Sequence, residues 1–143
     1  NHQRWMNGGK FDGGQLSESE KNLRDFYKRL LNFSLESDAL MGEFQEIQSV
    51  NRAESDGYDP GIYSFVRWSE NEKLIVVANF SSVTKSDFDL KIPSDVIAKW
   101  NLKDGTYEVI DQLYGSKKTM VVENQIGIIK LVLSASESFI LKL

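Results

Sequence analysis

The sequence predicts a mainly β protein: an antiparallel β-sandwich of about seven or eight strands with Greek-key connections, preceded by one amphipathic α-helix. Two observations lead to this prediction. The chain changes character near residue 40, where a glycine-rich opening and one helical pattern give way to short β-type runs. Turn-forming residues then separate those runs at intervals typical of hairpins. We therefore divide the chain into two units, residues 1–40 and residues 41–143.

The helix is predicted from a capping pattern followed by an apolar stripe. Ser17 and Glu20 have the spacing of a capping box, in which each residue's polar group satisfies the other's free backbone N–H. Apolar residues then recur with helical spacing until about Asn32, and such a stripe needs a surface to pack against. The stripe consists of Leu23, Phe26, Tyr27, Leu30 and Leu31.

Eight runs rich in β-branched and aromatic residues are predicted as strands. The run 74–78 is apolar at every position, so we expect a central strand that is covered on both faces. A short helix is expected after Pro93, with Val96, Ile97 and Trp100 facing inward. The predicted strands are 43–50, 61–69, 73–80, 86–92, 106–113, 118–123, 126–133 and 137–143.

Composition excludes several classes of function. The chain has 143 residues, no cysteine, one histidine and a net charge of −4. These counts exclude disulfides, thiolate or multi-histidine zinc sites and a cysteine nucleophile. The acidic balance argues against a nucleic-acid partner, which requires a basic surface, and no apolar run approaches the length of a membrane span. We expect one core and no cofactor or metal.

The chain does not begin with Met and shows no signal-peptide pattern, so we expect it to be a piece of a longer protein. Its composition predicts a soluble globular domain. The lack of cysteine is compatible with the cytoplasm and equally with a periplasmic or cell-surface location in a bacterium.

Motifs that resemble catalytic sites have simpler explanations. The glycine-rich stretch 8–14 lacks the spacing of a phosphate-binding loop. The carboxylates lie mostly in turns or beside lysines, which predicts solvated side chains rather than an acid–base pair. Asp56 and Asp59 lack the loop pattern of a calcium site, so we interpret them as turn-stabilising residues.

Exposed aromatic rings are the remaining candidates for a binding site, because sugar rings stack on the faces of Trp and Tyr. Trp68 lies at a predicted strand end and Tyr58 lies in a predicted turn, so we expect these two to be exposed. Both are therefore candidates for a sugar contact. The alternative is that they belong to the core, where the aromatic side chains of a small domain usually lie.

The two parts of the chain carry motifs that occur in the same order in a known family of enzymes. Segments 4–6, 11–17, 23–32 and 38–42 are similar to the closing segment of the catalytic barrel in α-amylase-type enzymes, glycoside hydrolase family 13. That segment includes the last barrel helix and a short hinge. The loop at 11–14 most resembles the neopullulanase and cyclomaltodextrinase branch of the family.

The second half of the chain extends the resemblance. Segments 63–67 and 72–81 are similar to the strands that open the C-terminal β-domain of those enzymes, and 138–143 resembles its last strand. The resemblance implies that residues 1–40 are the tail of the barrel and that 41–143 form the C-terminal domain. It also implies a parent enzyme that acts on α-glucans such as starch or maltodextrins.

No segment matches the motifs around the family's catalytic carboxylates, so the resemblance implies a non-catalytic chain that packs against and stabilises the upstream barrel. The predicted barrel-packing face is the stripe Leu23, Phe26, Tyr27, Leu30 and Leu31. In the isolated chain this stripe must pack on the sandwich, self-associate or stay exposed. One alternative is an independent α-glucan-binding module that uses Trp68 and Tyr58. Another is an unrelated interaction sandwich whose helix is fully buried.

Overall fold

The protein is described by a computed structural model that covers residues 18–34, 37–81 and 85–143. Helix α1 (Glu18–Ser34) comes first, and a short 3-10 turn (Ala39–Met41) links it to the β-rich part. The predicted helix is confirmed, whereas its capping residue Ser17 lies outside the described residues. The remaining elements are β1 (Glu43–Glu46), α2 (Gln48–Glu54), β2 (Ile62–Trp68), β3 (Lys73–Asn79), β4 (Ser86–Ile92), α3 (Ser94–Lys99), β5 (Gly105–Asp111), β6 (Lys117–Glu123), β7 (Ile126–Leu133) and β8 (Ser138–Lys142).

All eight strands form one antiparallel sheet in the order β1-β2-β3-β8-β5-β6-β7-β4. Strand β4 lies beside β7 after a long connection, which gives the second half of the sheet a Greek-key arrangement. Buried side chains from both halves meet in one core, so the sheet curls over on itself as a sandwich. The predicted fold class is confirmed.

The two halves of the sheet are joined where β8 pairs with β5, at Ile110↔Lys142 and Asp111↔Leu141. The buried carboxylate of Asp111 strengthens this junction. It accepts hydrogen bonds from the backbone N–H groups of Leu113 (3.2 Å), Tyr114 (2.9 Å) and Ile140 (3.0 Å). One side chain therefore ties the end of β5, the turn that follows it and the middle of β8 together.

Strand β3 is buried on both faces, as its continuous apolar sequence predicts. Ile75 and Val77 belong to the core between the two halves. The alternating side chains belong to a second apolar cluster on the outside of the sheet, which helix α1 covers. This outer cluster contains Phe26, Ala39, Leu74, Val76, Ala78 and Ile140, with Leu30, Phe33, Phe65, Phe80 and Leu113 partly buried against them.

The short helix predicted after Pro93 is also confirmed. Helix α3 begins at the next residue, and Val96, Ile97 and Trp100 are buried in the core. Among the described helices, none is long and apolar enough to cross a membrane.

The predicted strand 43–50 is wrong beyond residue 46, where the chain turns into helix α2. Ile47 still donates its N–H to the Ser64 carbonyl at 3.1 Å. The Glu46 carboxylate then accepts from the N–H of Ser49 at 2.9 Å, which satisfies one free donor in the first helical turn. The β-branched residues Ile47 and Val50 favoured a strand, but both pack against the sandwich core from this helix.

Helix α2 closes the free edge of strand β4. The buried Asn51 amide accepts from the N–H of Lys91 at 2.7 Å and donates to the Lys91 carbonyl at 3.0 Å, as a neighbouring strand would. The Ser55 hydroxyl donates to the Asp89 carbonyl at 2.6 Å. The unpaired backbone groups of an edge strand can pair with strands of other chains. Here the side chains of Asn51 and Ser55 bond to backbone groups on the edge of β4.

The linker between α1 and β1 is held by one carboxylate. Glu72 accepts from the Ser37 hydroxyl and from the N–H of Ala39, and it lies 3.2 Å from Lys142 Nζ. Burial favours the neutral acid, but these hydrogen bonds and the Lys142 charge outweigh it and lower the pKa of Glu72 below its usual range. At Gly42, the next turn of the linker, a Cβ would overlap the Trp68 carbonyl oxygen, so only glycine fits.

We expect Asn51→Ala to lower the free energy of unfolding by about 3 kcal/mol, because it leaves the backbone groups of Lys91 without partners. Urea denaturation measures this difference. Ser49→Ala, an exposed position on the same helix, is the matched control and changes the free energy by less than about 0.5 kcal/mol. Equal effects of the two substitutions would contradict the edge-closing role.

We expect Glu72→Gln to lower the free energy of unfolding at neutral pH by about 1–3 kcal/mol. Folding lowers the pKa of Glu72, so the unfolded chain binds a proton at a higher pH than the folded chain does. The stability that the Glu72 carboxylate adds to the native protein therefore decreases as the pH falls below about 4.3. Urea titrations at several pH values test this. Glu70→Gln, at an exposed residue of the same turn, is the control; a native advantage that does not shrink as the pH falls would refute the assignment.

Candidate functional site

The apolar stripe of α1 is divided between two environments. Phe26 is buried and Leu30 half-buried against the outer cluster on the sheet. Leu23 and Tyr27 remain 36% and 55% exposed, so the fully buried helix of an unrelated interaction sandwich is not observed. The side chain of Leu31 lies outside the described residues. One side of the stripe thus packs on the chain's own sheet, and the described residues leave the other side exposed.

Strands β1 and β2 continue this uncovered apolar area. Phe44 and Tyr63 are 55% and 45% exposed on the outer face of the sheet. Phe65 lies near Phe44, with ring centroids 5.4 Å apart, and is itself half-buried. A groove of about 310 Å³ runs between these strands and α1. We call the exposed residues that border this groove, Leu23, Tyr27, Phe44 and Tyr63, the aromatic surface.

Two arginines flank the aromatic surface. The guanidinium carbon of Arg67 lies 5.6 Å from the centre of the Phe44 ring, and that of Arg52 lies 6.0 Å from the Tyr63 ring. Arg67 donates to the Gly42 carbonyl at 3.0 Å, and Arg52 donates to the Pro60 carbonyl at 3.2 Å. Within the described part of the chain, neither arginine forms an ion pair with a carboxylate.

Trp68, one of the two predicted sugar contacts, lines a separate cleft of about 520 Å³ at the end of β2. Its half-buried ring meets Trp100 edge-to-face, with centroids 6.1 Å apart, and Lys99 Nζ lies 5.7 Å from its centre. The indole nitrogen of Trp100 is buried and has no hydrogen-bond partner among the described residues. The other side chains that line the cleft are polar or charged: Glu43, Ser69, Glu70, Lys73 and Asn101.

Tyr58, the other predicted sugar contact, is not exposed, and that expectation is wrong. Its side chain is only 8% exposed, its ring meets Phe88 edge-on, and its hydroxyl lies 2.7 Å from the Ser64 hydroxyl. Burial raises the pKa of Tyr58, against the opposing effects of the Ser64 hydrogen bond and the Arg52 charge. Gly57, with a φ of 86°, brings the turn directly onto the Asp87 carbonyl of β4, which encloses the ring.

The interpretation of the acidic turn as a structural feature agrees with the geometry of Asp59. Its carboxylate accepts from the N–H of Gly61 at 2.7 Å, which is the hydrogen bond of an Asx turn. Across residues 18–34, 37–81 and 85–143, no three His, Cys, Asp or Glu side chains are grouped to hold a metal ion.

Comparison with solved structures gives eight matching chains. No curated protein matches the sequence. The crystal structure of an AmyP variant in complex with maltotriose is similar over 93% of this chain and 23% of that chain, with a TM-score of 0.51 and 16% identity. At this identity the similarity establishes the fold alone. Residues 41–143 cannot supply 93% of the chain, so the match extends into the N-terminal segment.

A family model described as the α-amylase C-terminal all-β domain matches residues 53–143. The matched region includes strands β2 to β8 and therefore most of the sandwich. It is more than half of the chain, and the observed architecture agrees with the description of the family. The chain therefore belongs to the family of α-amylase C-terminal all-β domains.

Proposed function

We propose that this chain is the non-catalytic C-terminal β-domain of an α-glucan-active glycoside hydrolase, with the tail of the catalytic barrel, residues 1–40, still attached. Its role is to pack against the upstream barrel and stabilise it. The aromatic surface carries this proposal, because one side of the α1 stripe and the outer face of β1 and β2 are exposed among the described residues. In this proposal the hydrolytic chemistry belongs entirely to the upstream barrel.

Helix α1 serves both domains in this arrangement. Phe26 and Leu30 anchor the helix to the sheet, where they contact the outer cluster. Leu23 and Tyr27 lie on its uncovered side and are available to the barrel.

The surface is large enough for an interface within one polypeptide. Complete burial of a large apolar side chain is worth about 1.5–3 kcal/mol, and the four residues of the aromatic surface are about half-exposed. Their burial therefore contributes a few kcal/mol. That is sufficient between domains that are covalently joined, since the link raises the effective concentration of one domain around the other. In the chain without its barrel, the same surface favours self-association.

We expect Tyr27→Ser to lower the unfolding temperature of the barrel in the whole parent enzyme by about 2 °C or more, because a barrel contact is lost. The same substitution leaves the free energy of unfolding of the isolated chain within about 0.5 kcal/mol, since Tyr27 is already half in water. Calorimetry of the parent and urea denaturation of the chain measure the two quantities. Tyr114→Ser, at an exposed tyrosine outside the aromatic surface, is the control. An unchanged parent would contradict the proposal.

A second candidate function is α-glucan binding at the Trp68 cleft. It is supported by the paired indole rings and the polar side chains that line the cleft. A sugar can stack on an indole while its hydroxyls meet those polar groups. Lys99 lies over the Trp68 ring and must move aside for such stacking.

We expect that, if the cleft binds glucan, maltoheptaose titrated into the chain changes its tryptophan fluorescence with saturation. Trp68→Ala then raises the dissociation constant at least about fivefold, because a stacking contact is lost. Calorimetry checks the fluorescence result, and Tyr114→Ala serves as the control for an exposed aromatic residue outside the cleft. A flat titration at millimolar sugar would remove this second function and leave the packing role unaffected.

A further inference from the structure

We infer that Arg67 and Arg52 are the polar anchors of the aromatic surface and that they receive carboxylates from the upstream barrel. This inference rests on the proposed function, since the barrel is the occupant. It adds a statement about the barrel: the barrel surface that covers the rings is apolar, and acidic side chains at its border meet these two guanidinium groups.

Arg67 lies at the edge of the aromatic surface and has no carboxylate partner among the described residues. It lies directly opposite Phe44 in the register of β1 and β2, and its guanidinium rests beside that exposed ring. Among the described residues, its one hydrogen bond runs from a terminal nitrogen to the Gly42 carbonyl. Its Nε is buried and has no partner among the described residues. An arginine offers five N–H donors in a planar fork suited to a carboxylate, and most of those donors are unused here.

Arg52 occupies the matching position at the other end of the surface. Its guanidinium lies beside the Tyr63 ring, and its one hydrogen bond within the described residues goes to the Pro60 carbonyl. Both cations are therefore held next to exposed rings before any partner arrives. Tyrosine and arginine are enriched among the residues that contribute most to the binding energy of interfaces, and the planar guanidinium is already oriented here.

Charge complementarity decides between the available occupants. A second copy of this chain would face the surface with the same surface across a two-fold axis. Glu46 is the only carboxylate among the described residues that line the groove, and it already accepts from the N–H of Ser49. A second copy thus brings one groove carboxylate for the two arginines that it faces, and an uncharged glucan brings none. In the proposed arrangement the barrel precedes α1, whose exposed Leu23 and Tyr27 border the surface, so it can supply the missing acids.

The test uses the whole parent enzyme and the isolated chain. Hydrogen exchange first compares the β1 and β2 amides in the two proteins, and we expect slower exchange in the parent because the barrel covers them. The unfolding temperature of the parent is then measured at about 0.05 M and 1 M NaCl for Arg67→Met, Arg52→Met and the control Arg29→Met. Arg29 also lies beside an exposed ring, that of Tyr114, but outside the aromatic surface.

We expect Arg67→Met and Arg52→Met each to lower the unfolding temperature by about 2 °C or more at low salt and by much less at high salt, where charges are screened. Arg29→Met is expected to have no such effect. Arg67→Lys keeps the charge without the planar fork and should give an intermediate shift; it also replaces Arg67→Met if that variant does not fold.

Two results would overturn the inference in distinguishable ways. Equal exchange of β1 and β2 in the parent and the chain would show that no barrel covers the surface, and it would overturn the proposed function too. Slower exchange in the parent, with the arginine variants no different from Arg29→Met at either salt concentration, would overturn the arginine anchors alone.

Discussion

The burial of strand β3 on both faces is the constraint on which the rest of the arrangement depends. Its inner side chains complete the sandwich core, whereas Leu74, Val76 and Ala78 would face water on the outside of the sheet. Helix α1 is therefore required as a cover, and its own stripe needs that surface equally. The two apolar faces meet through Phe26 and the residues around it. The helix is thus part of the folded unit even though it precedes the matched family region.

Helix α1 covers only part of the outer face of the sheet, and the part beside it that the described residues leave exposed is the aromatic surface. Helix α1 lies over β3 and β8, so the outer face of β1 and β2 stays open beside it. Glu72 holds Ser37 and Ala39 in the linker that leads to β1. A surface of exposed rings with two preset guanidinium groups is suited to a protein partner, whereas the polar Trp68 cleft is a separate site with different chemistry.

The sequence predicted local features well and side-chain environments poorly. Seven of the eight strand predictions and both expected helices agree with the structure, because alternation, turn residues and a proline act over a few neighbouring residues. The eighth strand, predicted at 43–50, is right only as far as residue 46. Helix α2 is not predicted, because Ile47 and Val50 resemble strand residues. Its Asn51 hydrogen-bonds to Lys91, 40 residues further along the chain, and no local pattern shows that contact. Tyr58 was expected in water because it lies in a turn, yet the turn folds onto β4.

The sequence by itself determined the mainly β fold class, the central position of β3 and the resemblance to α-amylase C-terminal domains. These depend on the identity and spacing of neighbouring residues, which the chain carries locally. Only the tertiary structure decided how the α1 stripe is shared, which aromatic rings are exposed, and that Arg67 and Arg52 flank the same surface. Those properties depend on which distant segments meet, because burial and charge pairing are relations between side chains that no local pattern encodes.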